Sequence, residues 1–106
     1  TRRLVKMMTG GAGAEQNVTA EEKSIVEKVW PEVLKQRQKE YVSYEPKTFK
    51  AQVVAGMNYF VKVMAKTASG EECFVLKIYK PLPHMGSDLQ LSGIKESSAS
   101  DAIEHF

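Results

Sequence analysis

Phe49-Lys50-Ala51-Gln52-Val53-Val54-Ala55-Gly56-Met57-Asn58-Tyr59-Phe60-Val61-Lys62-Val63-Met64-Ala65-Lys66 sets the frame for the rest of the chain. Phe49–Val54 is rich in β-forming residues, and Gly56 interrupts it. From Asn58 to Lys66 the residues alternate, with Phe60, Lys62, Met64 and Lys66 set against Tyr59, Val61, Val63 and Ala65. A period of two is the signature of a strand with two unlike faces. Two such runs about one glycine predict an antiparallel hairpin with Gln52–Gly56 at its tip.

Outward from this hairpin, Thr67–Glu72 with Gly70 reads as a turn. Phe74, Leu76 and Ile78 then share one strand face, with Val75, Lys77 and Tyr79 on the other. Pro81-Leu82-Pro83-His84 ends that strand, because proline cannot donate to a ladder. Leu89, Leu91 and Ile94 suggest a last strand. Toward the N-terminus the period changes to three and four. Ile25, Val26, Val29, Trp30, Val33 and Leu34 form one broad apolar face, which predicts an amphipathic helix over 20–38. Thr19-Ala20-Glu21-Glu22 supplies a capping box for its start. Pro31 lies inside it, where the penalty is about 3 kcal/mol in an ordinary interior, so a kink is expected. Residues 1–18 contain Gly10, Gly11 and Gly13 and no period, and are expected to be mobile until bound. One helix followed by hairpin-connected strands is an α+β pattern, the sheet packing one face on the helix. The connections are too short for crossover helices, which excludes a doubly wound parallel sheet.

The chain has 106 residues, 42% apolar and 26% charged, enough for one domain with a modest core. No run of apolar residues is long enough to span a membrane, and the Gly-rich Met7–Ala14 is a poor match to a secretory signal. A single cysteine, Cys73, forms no internal disulfide, and a cytoplasmic setting is expected. The net charge of +2 is uneven. Arg2, Arg3 and Lys6 provide three of the 15 basic residues, leaving 12 against 13 acidic ones. Residues 1–6 read as an extension or an expression remnant and residues 7–106 as a single domain. A basic arm of this kind also suits an anionic partner, although three charges without aromatics make a poor nucleic-acid site.

Catalytic chemistry finds little to work with. Cys73, with His84 and His105 as the available bases, sits at the start of an apolar strand, where a thiol packs as a small hydrophobe. Glu71-Glu72 falls in the expected turn, solvated, with no reason for a raised carboxyl pKa. Two distant histidines and one cysteine do not make a metal site. Gly10-Gly11-Ala12-Gly13 lacks the strand before it and the Lys-Ser/Thr after it that a phosphate loop needs. No cofactor and no enzymatic activity are expected.

Three segments look suited to display: the start around Met7–Gly11, the Gln52–Gly56 tip, and Leu82-Pro83-His84. Hairpin tips are usually polar, and exposed apolar residues mark contact sites. The pattern leaves two placements open for Val53 and Val54: displayed at the tip, or continuing the strand into the core.

Gln52-Val53-Val54-Ala55-Gly56 followed by Asn58-Tyr59 resembles the signature loop of the cystatin superfamily, inhibitors of papain-like cysteine proteases. Met7-Met8-x-Gly10-Gly11, Lys80-x-Leu82-Pro83-His84 and Asp88-Leu89-x-Leu91 resemble its stefin branch, and the likeness covers residues 7 to 106. The resemblance implies a cystatin fold, with a five-stranded antiparallel sheet wrapped around one long helix. It also implies a protease-binding wedge. In it Met8, Thr9 and Gly10 occupy the non-primed side, with Gly10 as the flexible turn. Gln52, Val53, Val54, Ala55 and Gly56 enter the cleft beside the catalytic cysteine, and Leu82, Pro83 and His84 cover the primed side. The implied partners are papain-like cysteine proteases of the cathepsin type. The implied state is a monomer able to form a domain-swapped dimer through the Val53–Gly56 hinge. Met57 stands where stefins commonly have Thr, Thr9 where they have Cys or Pro, and His105 where they have Tyr. The competing expectation is a non-inhibitory module of the same fold that binds anionic partners through residues 1–6.

Overall fold

The computed structural model of the chain describes residues 15–82, 88–103 and 106. Within them the order is β1 (Gln16–Asn17), α1 (Ala20–Arg37), β2 (Ser43–Val54), β3 (Gly56–Thr67), β4 (Gly70–Lys80) and β5 (Gln90–Glu96). The strands form one antiparallel five-stranded sheet in the order β1-β2-β3-β4-β5, so every neighbour in space is a neighbour in strand order. This is the α+β arrangement that the hairpin pattern implies, and its one helix and five-stranded antiparallel sheet are what the resemblance implies.

Helix α1 begins and ends as its sequence dictates. The Thr19 amide donates to Glu22 Oε1 at 2.7 Å, and the Thr19 hydroxyl accepts from the Glu21 amide at 3.3 Å. Two otherwise orphaned donors of the first turn are thereby satisfied. At the far end Gln38 adopts the left-handed conformation, and its amide closes on the Leu34 carbonyl at 2.8 Å. The helix runs through Pro31, which is solvent-facing, as is Glu27 four residues before it. Water can therefore take the Glu27 carbonyl that the proline leaves unbonded.

The apolar stripe of α1 packs onto the inner sheet face. Val26, Val33, Val61, Val63, Phe74, Leu76 and Ile78 are completely or almost completely buried there. Trp30 stacks on Tyr44 with ring centroids 3.8 Å apart and lies against Tyr41 and Phe74. Its role is to fill the core.

The structure departs from the sequence reading in four places. Strand β2 starts at Ser43, six residues before the β-rich run, despite Pro46. A register shift between Pro46 and Thr48 absorbs the proline, as a bulge can. Gln16–Asn17 is a strand: Gln16 pairs with Phe49 and Asn17 with Thr48, so the expectation of mobility fails for residues 15–18. The β3–β4 turn is only Ala68–Ser69, organised by the Thr67 hydroxyl, which accepts from the amides of Ser69 (3.2 Å) and Gly70 (3.1 Å). Glu72 consequently lies inside β4. Finally, the outer sheet face is covered as well. Ile103 packs there with Phe60 and Val75, each no more than 2% exposed, and Phe106 meets Phe60 edge-on at 5.8 Å. Under the same cover Lys62 is buried, its Nζ donating to the Asp101 carbonyl oxygen.

Glu72 is no solvated turn residue. It accepts from Lys39, from Arg37 Nη2 at 2.8 Å and from the Tyr41 hydroxyl at 2.8 Å. Arg37 also pairs with Glu96 and lies 4.7 Å over the Phe74 ring. Lys39 above all, then Arg37 and Tyr41, acting against partial burial, hold the Glu72 carboxyl at about 2. This network pins the C-terminal end of α1 to the sheet.

Candidate functional site: the apolar edge of the sheet

The hairpin between β2 and β3 is very tight. Val53 pairs with Met57 and Val54 with Gly56, so Ala55 alone makes the turn. Twelve-residue strands run into the tip from each side. Strand pairing continues to the end of the hairpin, and the valine side chains there are exposed. Val53 is 58% exposed and Val54 43%. Of the two placements the sequence leaves open, the displayed one is correct.

Gly56 is the residue that permits this turn. Its φ is +120°, a conformation that L side chains rarely adopt. A Cβ there would lie 2.5 Å from the Lys80 carbonyl oxygen and 3.1 Å from both Pro81 Cα and the Tyr79 ring. The close approach of Lys80 is a consequence of register, because Met57 pairs with Lys80 in the β3–β4 ladder. The end of β4 thus packs against the base of the tip. The Tyr79 hydroxyl donates to the Ala55 carbonyl oxygen, bracing the turn from the neighbouring strand. Asn58 Nδ2 donates to Gln52 Oε1 at 3.3 Å across the hairpin.

Leu82 follows directly and is 37% exposed. Among the described residues the exposed large apolar side chains are Val42, Val53, Val54 and Leu82, and the last three lie at this one end of the sheet. Concentration at one edge distinguishes them from scattered surface residues, which need no explanation. The N-terminus of α1 sits at the same end. Glu21 Oε2 lies 3.7 Å from Lys80 Nζ and accepts from the Tyr59 hydroxyl at 3.5 Å. Strand β1 is antiparallel to β2, so the chain traced backward through Asn17 and Gln16 heads along β2 toward Val54.

Of the residues singled out in the sequence, Gln52, Val53, Val54, Ala55, Gly56 and Leu82 are thus gathered at one edge. Met8, Thr9, Gly10, Pro83 and His84 lie outside the described residues, as does His105. Met57, where stefins commonly have Thr, turns its half-buried side chain onto the core. Tyr79 and Lys80 also support the tip, and strand alternation alone does not signal it. Their role depends on the β3–β4 register, which only the two-residue turn at Ala68–Ser69 defines.

The one cysteine lies away from this edge. Cys73 stands on the outer sheet face opposite Met64, half-buried, and burial pushes its thiol up. The thiolate that nucleophilic chemistry needs is therefore disfavoured. Among the described residues, no three of His, Cys, Asp and Glu come together as metal ligands, and no helix is long and apolar enough to cross a membrane.

Comparison with known proteins agrees with this architecture. The sequence profile described as "Cystatin domain" matches residues 11–97. A protein named Cystatin-B from Macaca fuscata fuscata is 37% identical over 102 residues, covering 94% of this chain and 100% of the relative. Homo sapiens Cystatin-B is 36% identical over the same span. Oplegnathus fasciatus Cystatin-B is 33% identical over 103 residues, with 96% of this chain covered. With a profile matching most of its length and relatives aligned from end to end, the chain belongs to the cystatin family, as a member of the stefin type.

Proposed function

We propose that this chain is a reversible, tight-binding inhibitor of papain-like cysteine proteases of the cathepsin type, and that it acts as a wedge. The observation that carries the reading is the braced apolar tip: Val53 and Val54 exposed on a turn of a single residue, with Leu82 beside them. A convex apolar edge suits insertion into a cleft. Its burial in a partner contributes about 25 cal/mol per Å² of apolar surface removed from water. A tip already held by Tyr79 and Gly56 loses little conformational freedom on binding, which leaves more of that gain as affinity.

In this reading Gln52–Gly56 fills the cleft beside the catalytic cysteine. Leu82, Pro83 and His84 cover the primed side, and Met8, Thr9 and Gly10 the non-primed side. The antiparallel course of β1 along β2 supports the last assignment, since it aims the chain at the tip. No scissile carbonyl is offered to the thiolate, so the complex is blocked and the inhibitor is not consumed. The chain needs no cofactor, works as a monomer with a domain-swapped dimer as a side form, and acts in the cytoplasm. A single unpaired cysteine suits that reducing compartment.

The test is a titration of papain with the full chain. Residual activity should fall linearly to zero near equimolar inhibitor, recover on dilution into excess substrate, and leave the inhibitor uncleaved. Papain that stays fully active at micromolar inhibitor would refute the reading.

A further inference from the structure

One oxygen of Glu21 joins three elements at the end of the sheet that carries the exposed valines. Its Oε2 accepts from the Tyr59 hydroxyl of β3 at 3.5 Å and lies 3.7 Å from the Lys80 ammonium of β4. Glu21 itself stands in the first turn of α1, where Thr19 and Glu22 close the capping box. Its part in that cap is played by its amide, which donates to the Thr19 hydroxyl. The carboxylate is therefore available to the sheet. Tyr59 is a fixed partner, 7% exposed and packed against Phe49 with ring centroids 6.3 Å apart. Burial first, then the charges of Glu21 and Glu22, push its hydroxyl pKa up, which keeps it a donor toward Glu21.

Lys80 is held less firmly by the backbone. It is the last residue of β4 and pairs with Met57 of β3. On its other side, among the described residues, the pairing with β5 stops at Tyr79. The ladder is thus one-sided where the chain leaves β4. That same point borders the tip, because the Lys80 carbonyl oxygen and Pro81 Cα limit the space beside Gly56. A side-chain tether counts for more at such a position than inside the ladder. The pair is partly exposed, with the Lys80 side chain 47% accessible and that of Glu21 59%, so dissolved salt reaches it.

We propose that Glu21 is a positioning residue for protease inhibition: by drawing Lys80 toward the start of α1, it fixes the end of β4 against Gly56 and sets how Leu82 stands beside the valine tip. The first turn of the helix is thereby coupled to the inhibitory edge. This rests on the protease-inhibitor reading, and its test separates the two.

Glu21→Gln keeps the helix cap and an acceptor for Tyr59, and removes the charge that faces Lys80. At about 0.01 M salt it should weaken papain inhibition by about threefold to fivefold, the upper range for an exposed ion pair. At about 1 M salt, where the pair is screened in the parent as well, the two proteins should inhibit almost equally. Lys80→Met removes the other partner, and adding Glu21→Gln to it should weaken inhibition no further. Helix content by circular dichroism should match the parent throughout, and a loss of helix would trace the effect to the cap and overturn the proposal. Undiminished weakening by Glu21→Gln in the Lys80→Met background, or at 1 M salt, would mean that Glu21 does not act through Lys80 and would overturn it too. Parental inhibition by Glu21→Gln at low salt would overturn the proposal while leaving the inhibitor reading intact. A parent that fails to inhibit papain would overturn both.

Discussion

The hydroxyl of Tyr79 donates to the carbonyl oxygen of Ala55, 24 residues earlier, and so joins the last turn of one strand pair to the end of the next. Ala55 is the single residue of the β2–β3 turn, and its carbonyl has no ladder partner at that point. The bond therefore fixes a peptide that solvent would otherwise solvate. Replacing Tyr79 by Phe should leave the fold intact and cost about 1 kcal/mol of stability. Papain inhibition should weaken several-fold, through faster dissociation, because the tip must be ordered on binding. Stopped-flow association and displacement kinetics would separate the two rates.

Gly56→Ala addresses the same contact from the other side. A backbone with φ of +120° costs a non-glycine residue about 1–3 kcal/mol. The added methyl must also displace the Lys80 carbonyl, which would lie 2.5 Å away. Urea denaturation should show that loss or more, and the shift of Lys80 and Pro81 should move Leu82 with it. Inhibition is expected to fall further than stability does.

Glu72 gives the chain an acid-sensitive stability term remote from the tip. Its carboxyl titrates at about 2 in the folded state against 4.5 unperturbed. A lowered folded-state value means stability that is complete above the ordinary glutamate range and lost as pH falls from there toward 2. Glu72→Gln should therefore lower the thermal midpoint most at neutral pH, by the equivalent of about 1 kcal/mol. The gap from the parent should close near pH 2, and papain inhibition should be unchanged. Differential scanning calorimetry between pH 2 and 7 reads all of this except the inhibition.

Much of this molecule is visible in its residue order, for reasons that differ by element. Helix α1 announces itself through a capping box and a six-residue apolar face, both local signals. The β3 and β4 alternation is equally local, and so is the strand-ending Pro81. Ser43–Thr48 stayed hidden because Pro46 and two charges disguise a strand that a bulge repairs. Gln16–Asn17 is too short to show any period. The cover over Phe60 and Val75 depends on Ile103 and Phe106, isolated apolar residues whose partners lie far away in sequence. At the edge, the pentapeptide marks which residues matter, while the exposure of Val53 and Val54 is a property of the folded hairpin that the period-two pattern alone leaves open. Tyr79 and Gly56 acquire their roles only through register, a property of paired strands and not of either one.

The account stands on the claim that the apolar tip, and not exposed apolar surface in general, engages the protease. Val42 supplies the control. It is 75% exposed, more so than Val54 at 43%, and it lies just before the opposite end of β2. Aspartate at either position should change stability by no more than about 0.5 kcal/mol, as for ordinary surface sites. The deciding measurement is the inhibition constant for papain of Val54→Asp and Val42→Asp beside the parent, at equal ionic strength. The account predicts at least a roughly tenfold weakening for Val54→Asp, in line with a buried interface anchor, and parental inhibition for Val42→Asp. Equal inhibition by all three proteins, or equal weakening in both variants, would contradict it.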